Sequence, residues 1–263
     1  MSDAFQNLEF AAAERDGKVL KVTINRPERM NSLHPPANFE LEKIFDAFEA
    51  DDDLWVAVIT GAGERAFSAG NDLKWQAEGN KMEVPKTGFA GLTARYGMTK
   101  PVIAAVNGVA MGGGFEIALA CDLIVASENA TFALPEPKVG LAALAGGLHR
   151  LPRQIPLKQA MGMILTGRVV PAAEGQVLGF VNQVVPATDL MAAAMAWAKQ
   201  IEACSPMSIR ASKQSVYAGL DEANLQSAVE GKYEAVAALF RSEDLIEGPR
   251  AFAEKRAPVW KGR

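Results

Sequence analysis

Four short apolar runs, at residues 19–24, 55–60, 102–106 and 123–126, punctuate the first two thirds of the chain, each bounded by turn residues and several closed by glycine. Runs of this length between breakers read as buried strands. Helical stretches separate them. Phe39, Leu41, Ile44, Phe45 and Phe48 recur at helical spacing within residues 39–50, and residues 115–121 follow a glycine cluster as another helix. Strands alternating with helices predict an α/β fold. From about Pro186 the texture changes to Ala-rich stretches at 190–203, 206–218, 223–240 and 244–255, which read as long helices with almost no strand signal. The expectation is a mixed core over residues 1–185 and a helical portion over 186–263. The two belong to one structural unit, because no Pro/Gly/Ser-rich linker divides them and no fixed-period repeat stands out. With 263 residues, 49% of them hydrophobic, the chain can bury a full core.

Charge and composition remove several classes of function. A formal net charge of -4 gives no basic footprint, so nucleic acid is not an expected partner, although local Lys/Arg groups could still hold a small polyanion. No apolar run approaches the ~20 residues of a membrane-spanning helix, and the opening MSDAFQNLEF lacks the charged-then-apolar layout of a secretory leader. A cytoplasmic protein without a membrane partner is expected. Cys121 and Cys204 lie far apart in apolar helical surroundings and read as buried, reduced thiols. The two histidines, His34 and His149, have no ligand spacing to each other or to a cysteine, so no metal site is expected.

The most informative segment runs from Lys100 to Glu116, a buried strand leading into Gly112-Gly113-Gly114 and then a helix. Glycines let backbone approach a ligand closely, and the first amides of a helix are unpaired donors reinforced by its dipole, so a developing oxyanion could be held there. Tight packing of helix against strand explains such a cluster equally well. Glu116 tips the choice. A carboxylate in the apolar context Phe115-Glu-Ile-Ala-Leu-Ala-Cys121 should be paired, hydrogen-bonded, or left with a raised pKa suited to proton transfer. Its alternative role is a charge that favours the helix dipole. A second carboxylate, Glu136, stands between two prolines in Leu134-Pro-Glu-Pro-Lys. That restriction suits a residue that must be aimed, and it suits an ordinary solvated turn too. Two glutamates in one pocket can divide acid and base work, but their spacing does not show that they meet.

A third cluster, Gly61-Ala-Gly-Glu-Arg-Ala-Phe-Ser-Ala-Gly-Asn-Asp-Leu-Lys74, contains a loose Gly-x-Gly-x-x-Ala. The turn sequence Phe67-Ser-Ala-Gly70 interrupts the helix that a dinucleotide site requires, so that reading is weak. Ser68 as a nucleophile is weaker, lacking the Gly-x-Ser-x-Gly elbow. The better use of the loop is as a second source of backbone donors. Residues 80–96 mix Gly, Lys, Glu and Pro with little periodicity and read equally as a flap over a pocket or as a surface excursion.

Asn25-Arg-Pro-Glu-Arg-Met-Asn31, Phe67-Ser-Ala-Gly-Asn-Asp-Leu73, the Lys100-to-Glu116 segment and Leu134-Pro-Glu-Pro-Lys-Val-Gly140 together resemble the enoyl-CoA hydratase/isomerase (crotonase) superfamily nearly end to end. Phe89-Ala-Gly-Leu-Thr93, Gly112-Gly-Gly-Phe-Glu116, Phe132-Ala-Leu-Pro-Glu136 and the C-terminal stretch from Ser242 look most like its carnitinyl-CoA dehydratase branch.

The resemblance implies a crotonase-like spiral of ββα units with a C-terminal helical region that builds a homotrimer or a hexamer made of two trimers. It implies a catalytic set of Glu116 and Glu136 with oxyanion amides on Asn71 and Gly113, whose N–H groups would polarise the thioester carbonyl. Glu116 would help activate water for attack at Cβ and Glu136 would deliver the proton to Cα, with dehydration the reverse. Coenzyme A, as part of the thioester substrate and with no prosthetic group, would meet Arg29, Met30, Ala69, Asp72, Leu73 and Lys74. Phe252 and Lys255 would reach it from a neighbouring subunit.

Hydration leads this reading, with carnitinyl-CoA dehydration, double-bond isomerisation and a non-catalytic acyl-CoA-binding role as alternatives. Two positions depart from the common pattern. Ala143 and Leu144 stand where many family hydratases have Pro-Gly, which bears on water placement, and Asn71 replaces a small or apolar residue at the oxyanion position.

Overall fold

The computed structural model describes residues 5–263; the first four residues of the opening segment lie outside the described part. In chain order the elements are β1 (Ala11–Asp16), β2 (Val19–Ile24), α1 (Pro35–Ala50), β3 (Val56–Gly61), β4 (Ala66–Ser68), α2 (Leu73–Ala77), β5 (Val102–Val106), β6 (Val109–Met111) and α3 (Gly113–Ala120). There follow β7 (Leu123–Ser127), β8 (Thr131–Ala133), α4 (Gly147–Gln154), α5 (Leu157–Thr166), β9 (Val170–Pro171), α6 (Ala172–Leu178) and β10 (Gln183–Val185). Five helices finish the chain: α7 (Leu190–Glu202), α8 (Pro206–Gly219), α9 (Leu225–Glu230), α10 (Glu234–Leu239) and α11 (Asp244–Ala253).

Two sheets share the strands alternately. The larger has the order β1-β2-β3-β5-β7-β10 and the smaller β4-β6-β8-β9. Consecutive strands therefore go one to each sheet: β3 and β4, β5 and β6, β7 and β8. Each unit steps over by one strand, with β3, β5 and β7 parallel in the first sheet and β4, β6 and β8 parallel in the second. This is a spiral of ββ units followed by helices, the crotonase-like α/β architecture.

Both faces of the larger sheet are covered, which is why its central strands are apolar without alternation. Val56, Val58, Ile103, Ala105 and Val125 pack beneath Leu190, Ala194 and Ala198 of α7. Their neighbours Ala57, Ile59, Val102, Ala104 and Val106 face the main core with α1 and α3. Helix α1 starts on Pro35 and Pro36, whose missing N–H groups cost nothing in a first turn, and buries Leu41, Ile44, Phe45 and Phe48.

Several expectations are refined. The helix predicted over 223–240 is broken into α9 and α10, with Gly231 as the cap of α9. The chain leaving β3 through Gly61–Ala66 enters strand β4, not a helix, so the dinucleotide geometry is absent. The 80–96 segment divides in two. Residues 81–84 and Lys86 are mostly exposed, whereas Phe89, Ala90, Gly91 and Thr93 are buried against α1. There the Asn38 side chain accepts the Ala90 N–H at 2.6 Å, and the Arg95 guanidinium pairs with Asp46 and Glu49. Among the described residues no helix is long and apolar enough to cross a membrane, and no group of three or more His, Cys, Asp or Glu side chains is placed to hold a metal ion.

Candidate active site

Glu116 lies in the first turn of α3 and is 3% exposed. Its carboxylate does not serve its own helix terminus. It crosses to α4, where Oε1 accepts the Gly147 N–H at 2.8 Å. Burial drives its pKa from 4.5 up to about 7. The Gly147 and Ala145 amides and the Arg150 guanidinium pull it down, and the nearby Glu136 charge pushes it further up. Gly112, which lies beside Glu136 Oε1, also accepts the Glu116 N–H at 3.0 Å, so the two glutamates flank the start of the same helix.

Glu136 opens the short 3-10 turn Glu136–Val139, which closes on Gly140 in the left-handed region. Burial raises its carboxyl above the usual range, opposed by a hydrogen bond from its own backbone. Oε2 is buried without a hydrogen-bond partner among the described residues. Oε1 lies against Gly112, where a Cβ would stand only 2.8 Å away. Gly112 has φ +54, so glycine is needed there both for its backbone and for room beside the carboxylate.

Next to Gly112 are two amides with no acceptor among the described residues. Asn71 forms a parallel bridge with Leu33, in which Leu33 N donates to Gly70 O (2.7 Å) and Asp72 N donates to Leu33 O (3.0 Å). Those bonds use the groups flanking Asn71 and direct its own N–H to the opposite side. The second amide is that of Gly113, the first residue of α3, whose N–H has no acceptor within the helix. Gly70 brings the two together: it has φ +84, and a Cβ there would meet Gly113 N at 2.8 Å and Met111 O at 2.6 Å. Two convergent free amides, one on a helix N-terminus, can stabilise a negative oxygen. The triple glycine is built for close packing and leaves the Gly113 amide free. A Cβ on Gly113 would lie 2.5 Å from Phe89 Cε1, and Gly114 packs against the Ser68 carbonyl, so close packing and free donors come from the same residues.

The other expected positions are placed as follows. Arg29 and Met30 form the turn beside the Asn71 loop, where Ala69 N donates to Met30 O at 2.9 Å. Leu73 and Lys74 are exposed on α2. The Asp72 carboxylate is already engaged, with Oδ1 capping α2 through Trp75 N (3.2 Å) and Oδ2 3.0 Å from Arg26 Nη2. Burial pushes that carboxyl up, but the Trp75 amide and Arg26 outweigh it and the net shift is downward. Phe252 is 87% exposed on α11, and Lys255 follows that helix; none of the described hydrogen bonds joins them to the Ala69–Lys74 loop of the same chain. The Leu144 side chain is 82% exposed, and its N–H donates to Ala142 O at 2.9 Å.

Three residues that sequence reasoning did not single out for the site belong to it. Gly147 supplies the donor to Glu116. Arg150 donates to Thr93 O at 2.7 Å and biases Glu116 towards ionisation, and the Phe89 ring covers Gly113. The Gly146-Gly147 pair opening α4 is the one signal in the sequence that could have pointed there.

A family model described as enoyl-CoA hydratase/isomerase matches residues 14–263. A carnitinyl-CoA dehydratase of Salmonella typhi is 45% identical, covering 95% of this chain and 97% of its own length. That of Escherichia coli (strain K12) is 46% identical over the same shares. Among solved structures, an enoyl-CoA hydratase from Mycobacterium tuberculosis H37Rv superposes with a TM-score of 0.91 at 38% identity, covering 97% of this chain and 99% of that one. A carnitinyl-CoA hydratase from Mycobacterium avium gives 0.78 at 41% identity, covering 98% and 100%. The likeness in sequence and fold spans nearly the whole chain, and this protein belongs to the enoyl-CoA hydratase/isomerase family.

Proposed function

We propose that this lyase hydrates an enoyl-CoA thioester, and dehydrates the corresponding 3-hydroxyacyl-CoA, by means of Glu116, Glu136 and the amides of Asn71 and Gly113. The observation that supports the reading is that Glu136 Oε1 and the unpartnered Gly113 amide both adjoin Gly112, at the start of the helix that carries the buried Glu116, with both carboxyls raised by burial. The amides hold the thioester oxygen as it gains charge on forming the enolate. One proton is shared by the carboxylates, and a water between them is split, hydroxyl to Cβ and proton to Cα.

Burial raises both carboxyls, so each can hold a proton near neutral pH and pass it on. In the reverse reaction Glu136 removes the Cα proton and Glu116 protonates the departing hydroxyl. The 45–46% identity to carnitinyl-CoA dehydratases favours a 3-hydroxyacyl thioester of that type as a second substrate. Arg29, Met30, Ala69, Asp72, Leu73 and Lys74 contact CoA, the first and last as cations opposite its phosphates. In a trimer or hexamer built through residues 186–263, Phe252 and Lys255 reach the CoA of a neighbouring subunit. No prosthetic group takes part, and the setting is cytoplasmic.

Absorbance of the enoyl thioester, followed with crotonyl-CoA and a carnitinyl-type enoyl-CoA, tests the reading on wild type, Glu116→Gln and Glu136→Gln. Turnover by wild type and its loss by orders of magnitude in both variants is expected. A wild type that binds both esters and turns over neither sinks it in favour of isomerisation or binding alone.

A further inference from the structure

We propose that Ser68 is a positioning residue for the oxyanion amide of Asn71: its hydroxyl clamps Gly70, the flexible link on which the direction of that N–H depends. The proposal rests on the reading of Asn71 and Gly113 as the pair that polarises the thioester.

The Asn71 N–H belongs to the peptide joining Gly70 to Asn71, so its direction is set by the backbone angles of Gly70. Glycine restrains these angles least of all residues. At φ +84 Gly70 has no side chain to lock it, and the lock is external. On one side, Gly70 O accepts Leu33 N at 2.7 Å. On the other, Gly70 N donates to Ser68 Oγ at 3.1 Å, and the same hydroxyl donates its proton to Asn31 O at 2.8 Å. Ser68 is fully buried, and its hydroxyl makes both hydrogen bonds inside the fold.

The effect of the clamp shows along the loop. Ala69 N is bound by Met30 O, Gly70 N by Ser68 Oγ, Asp72 N by Leu33 O and Leu73 N by Asn71 O. Among the described residues, the amide of Asn71 is the one in this stretch with no partner. Asn31, which receives the Ser68 proton, is itself fixed: its Oδ1 accepts Arg26 N at 3.0 Å, and its Nδ2 donates to Ala62 O and Ala66 O. The clamp thus ends on Asn31, whose side chain ties the Arg26 amide, the turn after β3 and the start of β4 together. A nucleophilic role for Ser68 does not fit this geometry, since the hydroxyl faces backbone on both sides.

Removing the hydroxyl leaves Gly70 N and Asn31 O unpaired and lets φ of Gly70 shift, so the Gly70–Asn71 peptide, now held at Gly70 O by Leu33 N alone, can tilt. Substrate still binds, because the CoA contacts are untouched, but its carbonyl is polarised less. The probe is 4-dimethylaminocinnamoyl-CoA, whose absorbance moves to the red as hydrogen bonds polarise its carbonyl. Wild type is expected to give a red shift on binding. Ser68→Ala is expected to lose much of that shift, with kcat for crotonyl-CoA down at least about 10-fold and KM changed far less. Should Ser68→Ala not fold, Ser68→Cys serves in its place: a thiol makes weaker hydrogen bonds, so its red shift should fall between that of wild type and none. A full red shift and wild-type kcat in the variant, with only the melting midpoint lowered, would make Ser68 structural and overturn the proposal. A wild type without a red shift would instead remove the oxyanion reading itself, and the role of Ser68 with it.

Discussion

Replacing Glu116 by glutamine should exchange activity for stability, and the gain should depend on pH. Burial is the main cause that lifts the Glu116 carboxyl from 4.5 to about 7 in the fold, and at 3% exposure little solvent screens it. The ionised form is thereby disfavoured in the native state by about 3 kcal/mol. Well below 4.5 the carboxyl is protonated in folded and unfolded chains alike, and the shift contributes nothing. Between 4.5 and about 7 the unfolded chain releases its proton while the folded chain keeps it, so native stability falls as pH rises. Above that window the whole penalty is present. Glutamine does not titrate, and its amide oxygen can still accept the Gly147 N–H, which is 2.8 Å from Oε1 in the wild type. Glu116→Gln should therefore match wild type near pH 4 and exceed it near pH 8 by about 3 kcal/mol, or about 6 °C of melting midpoint for a chain of this size. Thermal unfolding of both proteins across that range decides the matter. A midpoint difference that stays constant from about pH 4 to about pH 8 would refute the argument, because only a buried titration makes it grow.

Two further outcomes follow from the same site. If the carboxylates share one working proton, hydration and dehydration lose activity together as pH rises through about 7, and Arg150→Met moves that limb upward because the guanidinium favours ionised Glu116; pH profiles in both directions check this, and a limb left unmoved in the variant speaks against it. Gly113→Ala would set a methyl 2.5 Å from Phe89 Cε1, costing about 1–3 kcal/mol of stability by overpacking and about 100-fold or more in kcat by displacing the amide; circular-dichroism melting and crotonyl-CoA turnover test it, and a variant as active as wild type counts against the Gly113 amide.

The elements were legible where local chemistry decides them. The strands at β2, β3, β5 and β7 announce themselves because both faces are covered, and α1 by its apolar stripe. The three-residue strands β4, β6 and β8 did not, being too short to show any periodicity. The spiral was hidden for a related reason. Its units open at Val56, Val102 and Leu123, so insertions of unequal length between them erase any fixed period. The break between α9 and α10 falls at Gly231, a single glycine whose cost of about 1 kcal/mol in a helix does not by itself separate a tolerated residue from a cap in an Ala-rich stretch.

By itself, the sequence determined which groups were available: a carboxylate one turn into an apolar helix, a glycine cluster at its start, a proline-bound glutamate, and a glycine turn after β3. Local propensity and the cost of burying charge act over a few residues, so these features can be read in a short window. Only the tertiary structure decided that Glu136 lies against Gly112 at the start of the Glu116 helix, that Gly147 is the donor holding Glu116 from 31 residues away, and that Gly70 lays the Asn71 loop against Gly113. Those contacts join segments distant in the chain. Each depends on the register of two sheets and the docking of a helix, and no pattern within a single segment encodes them.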